Sequence, residues 1–198
     1  TTMMQSTVGI IPKRGGQVLF DGQDITKTPC HKIVKLGMTQ VPEGRRIFQE
    51  LTVYENLLMG AFSQKDKSSF KQDIEDIYQR FPRLAERRNQ IAGTLSGGEQ
   101  QMLAICRGLM GKPKVLMLDE PAAGLNPEEV FQLVDFIRDI KVKYPDLAIL
   151  VIEHRMDLVM NLCDYIYVQD FGQTIAQGVP EEIQNNPLVL KAYLGEED

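Results

Sequence analysis

The chain has 198 residues, 43% hydrophobic and 25% charged, with a net charge of −5, which suits one well-buried domain with a subdomain rather than two independent ones. The acidic balance argues against a nucleic-acid surface, since phosphate contacts need clustered Lys and Arg; Cys30, Cys106 and Cys163 show neither metal-ligand spacing nor a disulfide framework. There is no signal peptide and no apolar run near the roughly 20 residues of a membrane helix, so any membrane role must come through a partner.

Residues 3–11 read as the end of an amphipathic helix, stopped by Pro12 and Gly15-Gly16. Gln17 to Phe20 reads as a short strand, Asp21-Gly22 as a hairpin turn, and residues around 29–36 as a helix. Gly37 to Val41 is a strand ending at Pro42. From Leu51 to about Met110 the period turns helical. Leu57, Leu58, Ala61 and Phe62 fall on one face, then Ile74, Ile77, Tyr78 and Phe81 on another, with Pro82 as a breaker. This block interrupts an α/β pattern and reads as an inserted helical subdomain. The basic pairs Arg45-Arg46 and Arg87-Arg88 read as solvated faces, and His31 as a surface residue.

The α/β pattern resumes with the apolar strand Val115 to Leu118 and a helix over about 127–143, capped by Asn126 with Pro127 at its first position. Ala148 to Ile152 is a continuous apolar run, as expected of a parallel strand covered on both faces. A helix over about 155–163 follows, then a hairpin whose strands flank Gly172, then short helices near 180–186 and 187–194. Internal repeats and low-complexity tracts are absent from the sequence.

The chemistry concentrates in a few places. Leu95-Ser96-Gly97-Gly98-Glu99-Gln100 opens a helix, and Ser96 with Glu99 forms an S-x-x-E capping box. A capped core helix would account for those two residues but not for Gly97-Gly98, because glycine weakens a first turn. Two glycines fit a backbone that another group must approach, and a helix N-terminus with bare N–H groups is an anion site suited to a terminal phosphate. Asp119 and Glu120 lie 23 and 24 residues beyond Ser96 and close the apolar strand. Either they begin a surface loop, or they stand at the C-terminal sheet edge where α/β folds place ligands. In the second case one holds Mg²⁺ and the other orients or deprotonates a water. His154, after the second buried strand, is either structural or a hydrogen-bond donor to a γ-phosphate. Gln40 alone is an unremarkable strand end.

Together these segments resemble the ATP-binding subunits of ABC transporters, over essentially the whole chain. The resemblance implies a P-loop NTPase-like α/β domain, a mostly parallel sheet flanked by helices, with the helical insertion. Residues 1–50 would be the first part of the ATP-binding core, 51–110 the helical subdomain and 111–198 the second part of the core. Leu95 to Gln100 looks like the signature motif, so Ser96, Gly97, Gly98 and Glu99 would face a partner's nucleotide. Val115 to Glu120 looks like the Walker B strand, with Asp119 on the magnesium side and Glu120 the general base. Gln40 resembles the Q-loop glutamine, Ala123 to Asn126 the D-loop with Asn126 in place of the usual aspartate, and His154 the switch histidine. Val41 to Phe48, Leu51 to Leu57 and the ending Ala192-Tyr193-Leu194-Gly195 are most like the branched-chain amino-acid importer branch.

Thr1-Thr2 looks like the tail of a Walker A segment, with Thr1 ligating Mg²⁺ and Thr2 reaching an α-phosphate; an accidental terminus is the alternative. No G-x-x-x-x-G-K-[ST] loop occurs in the sequence. The expectation is therefore an N-terminally truncated cassette that is inactive by itself, with apolar sheet edges exposed and poor stability. The intact parent would hydrolyse ATP with Mg²⁺, pair with a second ATP-binding subunit, alike or unlike, and drive import through transmembrane permease subunits. It would sit peripherally on the cytoplasmic face of the plasma (inner) membrane and bind no nucleic acid. The rival readings are a lipid or lipopolysaccharide exporter ATPase, a soluble ABC ATPase of DNA repair or translation, and a non-catalytic regulatory module. The roughly 55 residues between Gln40 and Leu95 leave no room for the long coiled coil of a repair ATPase.

Overall fold

Strand runs of β-branched and aliphatic residues set the centre of the fold in the computed structural model, which describes residues 1–64 and 68–194. The chain forms two units, Thr1–Ile152 and Glu153–Asp198. In the first, β3 (Met38–Val41), β4 (Val115–Asp119) and β5 (Ala148–Ile152) pair in parallel in that order. A separate two-residue pairing, β1 (Leu19–Phe20) with β2 (Gln23–Asp24), forms the hairpin at Asp21-Gly22.

The register sets Val41 opposite Leu118 and Asp119 opposite Ile152, so the C-terminal ends of all three parallel strands share one edge. Side chains alternate across a strand, and the two faces are covered differently. Met38 and Met117 face a core built with Met4 and Val8 of the N-terminal segment, Ile25, and Ile33 of α2 (Cys30–Leu36). The opposite face meets α6 (Gly97–Leu109), where a Cβ on Gly108 would lie 3.1 Å from Leu116 Cδ1 and 3.2 Å from Val41 Cγ2. Burial of Leu116, Met117 and Leu118 contributes about 1.5–3 kcal/mol for each side chain.

The helical stretch comprises α3 (Val53–Gly60), α4 (Phe70–Arg80), α5 (Pro82–Glu86) and α6. Thr52 and Glu55 close a capping box on α3, and Pro82 starts α5 after α4 stops at Arg80, as its ring and missing N–H require. Ile74, Ile77 and Tyr78 are buried as their spacing predicts. The face expected from Leu57, Leu58, Ala61 and Phe62 is not one face. Leu57 and Ala61 are buried, but Leu58 is 37% and Phe62 81% exposed. The helix ends at Gly60, so the 100° step that would have aligned Phe62 with Leu58 is not continued.

Two other boundaries differ from expectation. α1 runs only from Thr2 to Thr7, because Gly9 adopts φ +76° and turns the chain where a helix to Ile11 would have continued. After β4, α7 (Pro127–Lys143) buries Val130, Leu133, Val134, Ile137 and Ile140, the face its spacing marks. β5 forms the edge of its sheet among the described residues, and Leu150 on it is 40% exposed.

The second unit begins with α8 (Met156–Leu162) and the antiparallel hairpin β6 (Ile166–Asp170) and β7 (Gln173–Gly178), turned at Phe171-Gly172, both at positive φ. α9 (Pro180–Gln184) and α10 (Pro187–Leu194) close it around Ile166, Ile183 and Val189. Gly195 of the importer-like ending lies outside the described residues.

Candidate functional site

Parallel pairing of β3 with β4 brings Gln40 and Asp119 to neighbouring strand ends, the edge where open α/β sheets bind ligands. Asp119 is buried, at 1% exposure. Its Oδ1 accepts the Thr1 hydroxyl at 3.1 Å, and its Oδ2 meets Gln40 Nε2 at 3.5 Å. Gln40 Oε1 is buried with no hydrogen-bond partner among the described residues. An orphaned carbonyl oxygen beside a hydroxyl and a carboxylate is a set of hard oxygen donors, which fits a small divalent cation such as Mg²⁺. Thr2 opens α1 and is exposed.

Glu120 leaves the sheet at once. Its backbone takes φ +47°, uncommon for a residue with a Cβ, and its N–H donates to Ile152 O at 2.9 Å. The turn separates the two acids: Asp119 stays buried in the strand while Glu120 is half-buried outside it. The chain then passes Gly124 at φ +69° and reaches Asn126, whose side chain accepts from Glu129 N at 2.9 Å while Glu129 Oε2 accepts from Asn126 N at 3.1 Å.

The second cluster is the N-terminus of α6. Ser96 Oγ accepts from Glu99 N at 3.3 Å, and Glu99 Oε2 accepts from Ser96 N at 3.0 Å, the reciprocal box that the sequence spells. Glu99 Oε1 also pairs with Arg87 Nε at 3.2 Å. The expectation of bare N–H groups here is corrected: Gly98 N–H donates to Glu129 Oε1 at 3.0 Å. The glycines do admit close groups, but those groups belong to the same chain. A Cβ on Gly97 would fall 2.9 Å from Arg45 Nη2, and one on Gly98 would fall 3.1 Å from Glu129 Oε1.

Two basic pairs expected to be solvated are therefore split. Arg87 is bound to the capping glutamate, and Arg45 lies over Gly97 and near Gly124. Arg45 is held there by a left-handed run, Gly44 at φ +77°, Arg45 at +65° and Arg46 at +46°. Arg46, Arg88 and His31 are exposed, as expected. The approach of Glu129 and Arg45 to the Gly97-Gly98 turn was not legible in the sequence. The second E of Pro127-Glu128-Glu129 is a capping-box signal for α7, but nothing in it points across to Gly98.

His154 belongs to the second unit and is exposed, its backbone N–H donating to Glu153 Oε2 at 3.1 Å. In the first unit a cavity of about 260 Å³ opens beside Gln40, lined also by Phe48, Met59, Gly60 and Arg107. The Arg107 guanidinium lies 5.1 Å from the Phe48 ring centroid. Its Nη1 is buried without a hydrogen-bond partner among the described residues, and burial lowers the guanidinium pKa.

Comparison with known proteins finds relatives over nearly the whole chain. Residues 1–123 match the ABC transporter family, and residues 173–198 match a branched-chain amino acid ATP-binding cassette transporter family. The chain is 37% identical over 195 residues to the high-affinity branched-chain amino acid transport ATP-binding protein BraG of Pseudomonas aeruginosa, covering 98% of this chain and 82% of that protein. It is 38% identical over 211 residues to LivG, of the same description, from Escherichia coli K12, covering 99% and 82%. The crystal structure of a nucleotide-free ATP-binding cassette from an ABC transporter superposes with a TM-score of 0.82 at 31% identity, covering 98% of this chain and 83% of that one.

Proposed function

This chain belongs to the ABC transporter family of ATP-binding subunits, and from that premise we propose that it powers import of branched-chain amino acids through partner membrane subunits. Nucleotide binding follows from the family. No helix among the described residues is long and apolar enough to cross a membrane. Working with membrane subunits, as the family's ATP-binding subunits do, the chain would sit peripherally on the cytoplasmic face. Residues 51–110 would form the helical subdomain, with 1–50 and 111–198 as the two parts of the core.

The observation that carries the proposal is the Thr1, Gln40 and Asp119 cluster at the C-terminal sheet edge, with Glu120 next in the chain. Those three residues would hold Mg²⁺, which when bound neutralises charge on the β- and γ-phosphoryl oxygens. Glu120 would take a proton from the attacking water, and His154 would donate a hydrogen bond to the γ-phosphate. Ser96, Gly97 and Gly98, backed by Glu99, would meet the phosphate of ATP held by a second subunit, so the pocket is completed by pairing. Preorganised donors aimed at the developing charge are the main source of rate. The cavity beside Gln40, lined by Phe48, Met59 and Arg107, would receive the membrane subunit, so that Gln40 reports nucleotide occupancy to it.

In the assembled transporter, Glu120→Gln is expected to lower ATP hydrolysis by about 10²–10⁴-fold while nucleotide binding persists. Full turnover by that variant would refute the assignment. Affinity capture of the intact assembly should recover branched-chain amino-acid permeases, and recovery of lipopolysaccharide-export subunits would refute the solute class. A polypeptide of residues 1–198 alone contains no G-x-x-x-x-G-K-[ST] loop and is expected to release no phosphate from Mg-ATP.

A further inference from the structure

We infer that Glu129 is a positioning residue for the paired state: its carboxylate stands in, within one subunit, for the phosphate that the signature turn receives from the other. The inference rests on the reading above, in which a partner's triphosphate docks at the N-terminus of α6. The structure supplies the occupant. Of the N–H groups at this turn, Ser96 N and Gly98 N already donate to carboxylates, the first to Glu99 and the second to Glu129. Glu99 is part of the helix's own cap and travels with it. Glu129 does not; it comes from α7, 31 residues away, through a single bond at 3.0 Å.

Three features make this bond a latch. A carboxylate and a phosphoryl oxygen are alike to an amide at a helix N-terminus, since both are anionic acceptors. Gly98 has no Cβ, and one there would crowd Glu129 Oε1 at 3.1 Å and Cγ at 3.3 Å, so the glutamate reaches the Gly98 N–H only because the side chain is missing. An incoming phosphate needs that same approach, so it must displace Glu129. Finally, Glu129 has somewhere to remain, because its other oxygen, Oε2, is held by Asn126 N at 3.1 Å. Withdrawal from Gly98 therefore leaves the α7 cap intact. Meanwhile the Arg45 guanidinium over Gly97 keeps a positive charge at the turn whichever anion is present. The latch raises the nucleotide concentration at which two subunits close, without touching the acids that carry the chemistry.

Glutamine separates latch from cap: its one carbonyl oxygen keeps the local Asn126 cap, three residues away in the same helix start, and turns an NH2 donor toward the Gly98 N–H. In the 198-residue chain, the Gly98 amide proton resonance should move upfield in Glu129→Ala and Glu129→Gln; an unmoved resonance overturns the latch. In the assembled transporter, both variants should lower the ATP concentration for half-maximal hydrolysis by up to about tenfold, the scale of one charge-assisted hydrogen bond. Maximal turnover should stay within about twofold, and Glu129→Gln should melt like the unmodified chain. A change confined to Glu129→Ala, in step with a lowered melting temperature, would make Glu129 a cap alone and overturn the inference. Unchanged ATP dependence in both variants, with Glu120→Gln inactive, would overturn the latch and leave the proposed function standing. Full turnover by Glu120→Gln would remove the reading on which both depend.

Discussion

Gly60→Ala sets two effects against each other, and the structure decides between them. Gly60 is the last residue of α3, and alanine is the better helix former by about 1 kcal/mol in a helix interior and by less at an end. Propensity alone thus predicts a small gain. The added Cβ, however, would fall inside van der Waals contact of the Arg107 carbonyl oxygen, and would lie 2.9 Å from Arg107 C and 3.0 Å from Arg107 Cγ. Neither α3 nor α6 can yield locally, because the obstacle is backbone. The helices must separate, and α3 buries Val53 and Leu57 completely. Opening such an interface by a fraction of an ångström forfeits about a quarter to a half of its dispersion energy, and overpacking typically costs about 1–3 kcal/mol. With the smaller propensity gain taken off, the net loss is about 0.5–2.5 kcal/mol, which at a urea slope of about 2 kcal/mol/M lowers the unfolding midpoint by about 0.3–1.2 M. Gly15→Ala is the control, since its Cβ meets nothing within 4 Å and its φ is not in the left-handed range; it should shift the midpoint little or raise it. A Gly60→Ala midpoint equal to or above that of the unmodified protein would refute the close-approach argument.

Asn56 is completely buried, accepts from Phe48 N at 2.9 Å and donates to Phe48 O at 2.9 Å and Thr52 O at 3.0 Å. Asn56→Ala removes the acceptor of Phe48 N, while Phe48 O keeps Leu51 N and Thr52 O keeps Asn56 N; it should cost about 1–3 kcal/mol, with faster amide exchange first at Phe48. Asp24 is held down to a pKa of about 2 by Thr26, through hydroxyl and amide, and by Gln17. A depressed folded-state pKa stabilises above the unfolded value near 3.8 and loses that effect as pH falls through about 2. The melting temperature of Asp24→Asn should therefore fall below that of the unmodified protein at pH 7, and the gap should close between about pH 4 and pH 2. A gap that persists at pH 2 would refute the linkage.

Much of the site was legible because its signals are local. The Ser96–Glu99 box, the Asn126 N-cap with Pro127, and the apolar run ending in Asp119 each require only residues a few positions apart, and each formed where the spacing placed it. Other readings failed for want of the third dimension. The spacing of Leu58 and Phe62 suits a buried face, but helix α3 stops at Gly60 and leaves Phe62 exposed. Gly97-Gly98 correctly signalled close approach, yet the approaching groups, Arg45 and Glu129, come from elements about 50 residues upstream and about 30 downstream. Gly60 carried no signal at all, because its constraint is a carbonyl on another helix.

The sequence by itself determined the strands, the caps, the acids and the family, since periodicity, capping chemistry and motif spacing act along the chain. Tertiary structure alone decided which groups fill the space those motifs leave open. Parallel register carried Gln40 to Asp119, and packing of α7 beside α6 put Glu129 on Gly98. Such pairings depend on how elements lie against one another, and a hydrogen bond between distant residues has no period from which it can be read.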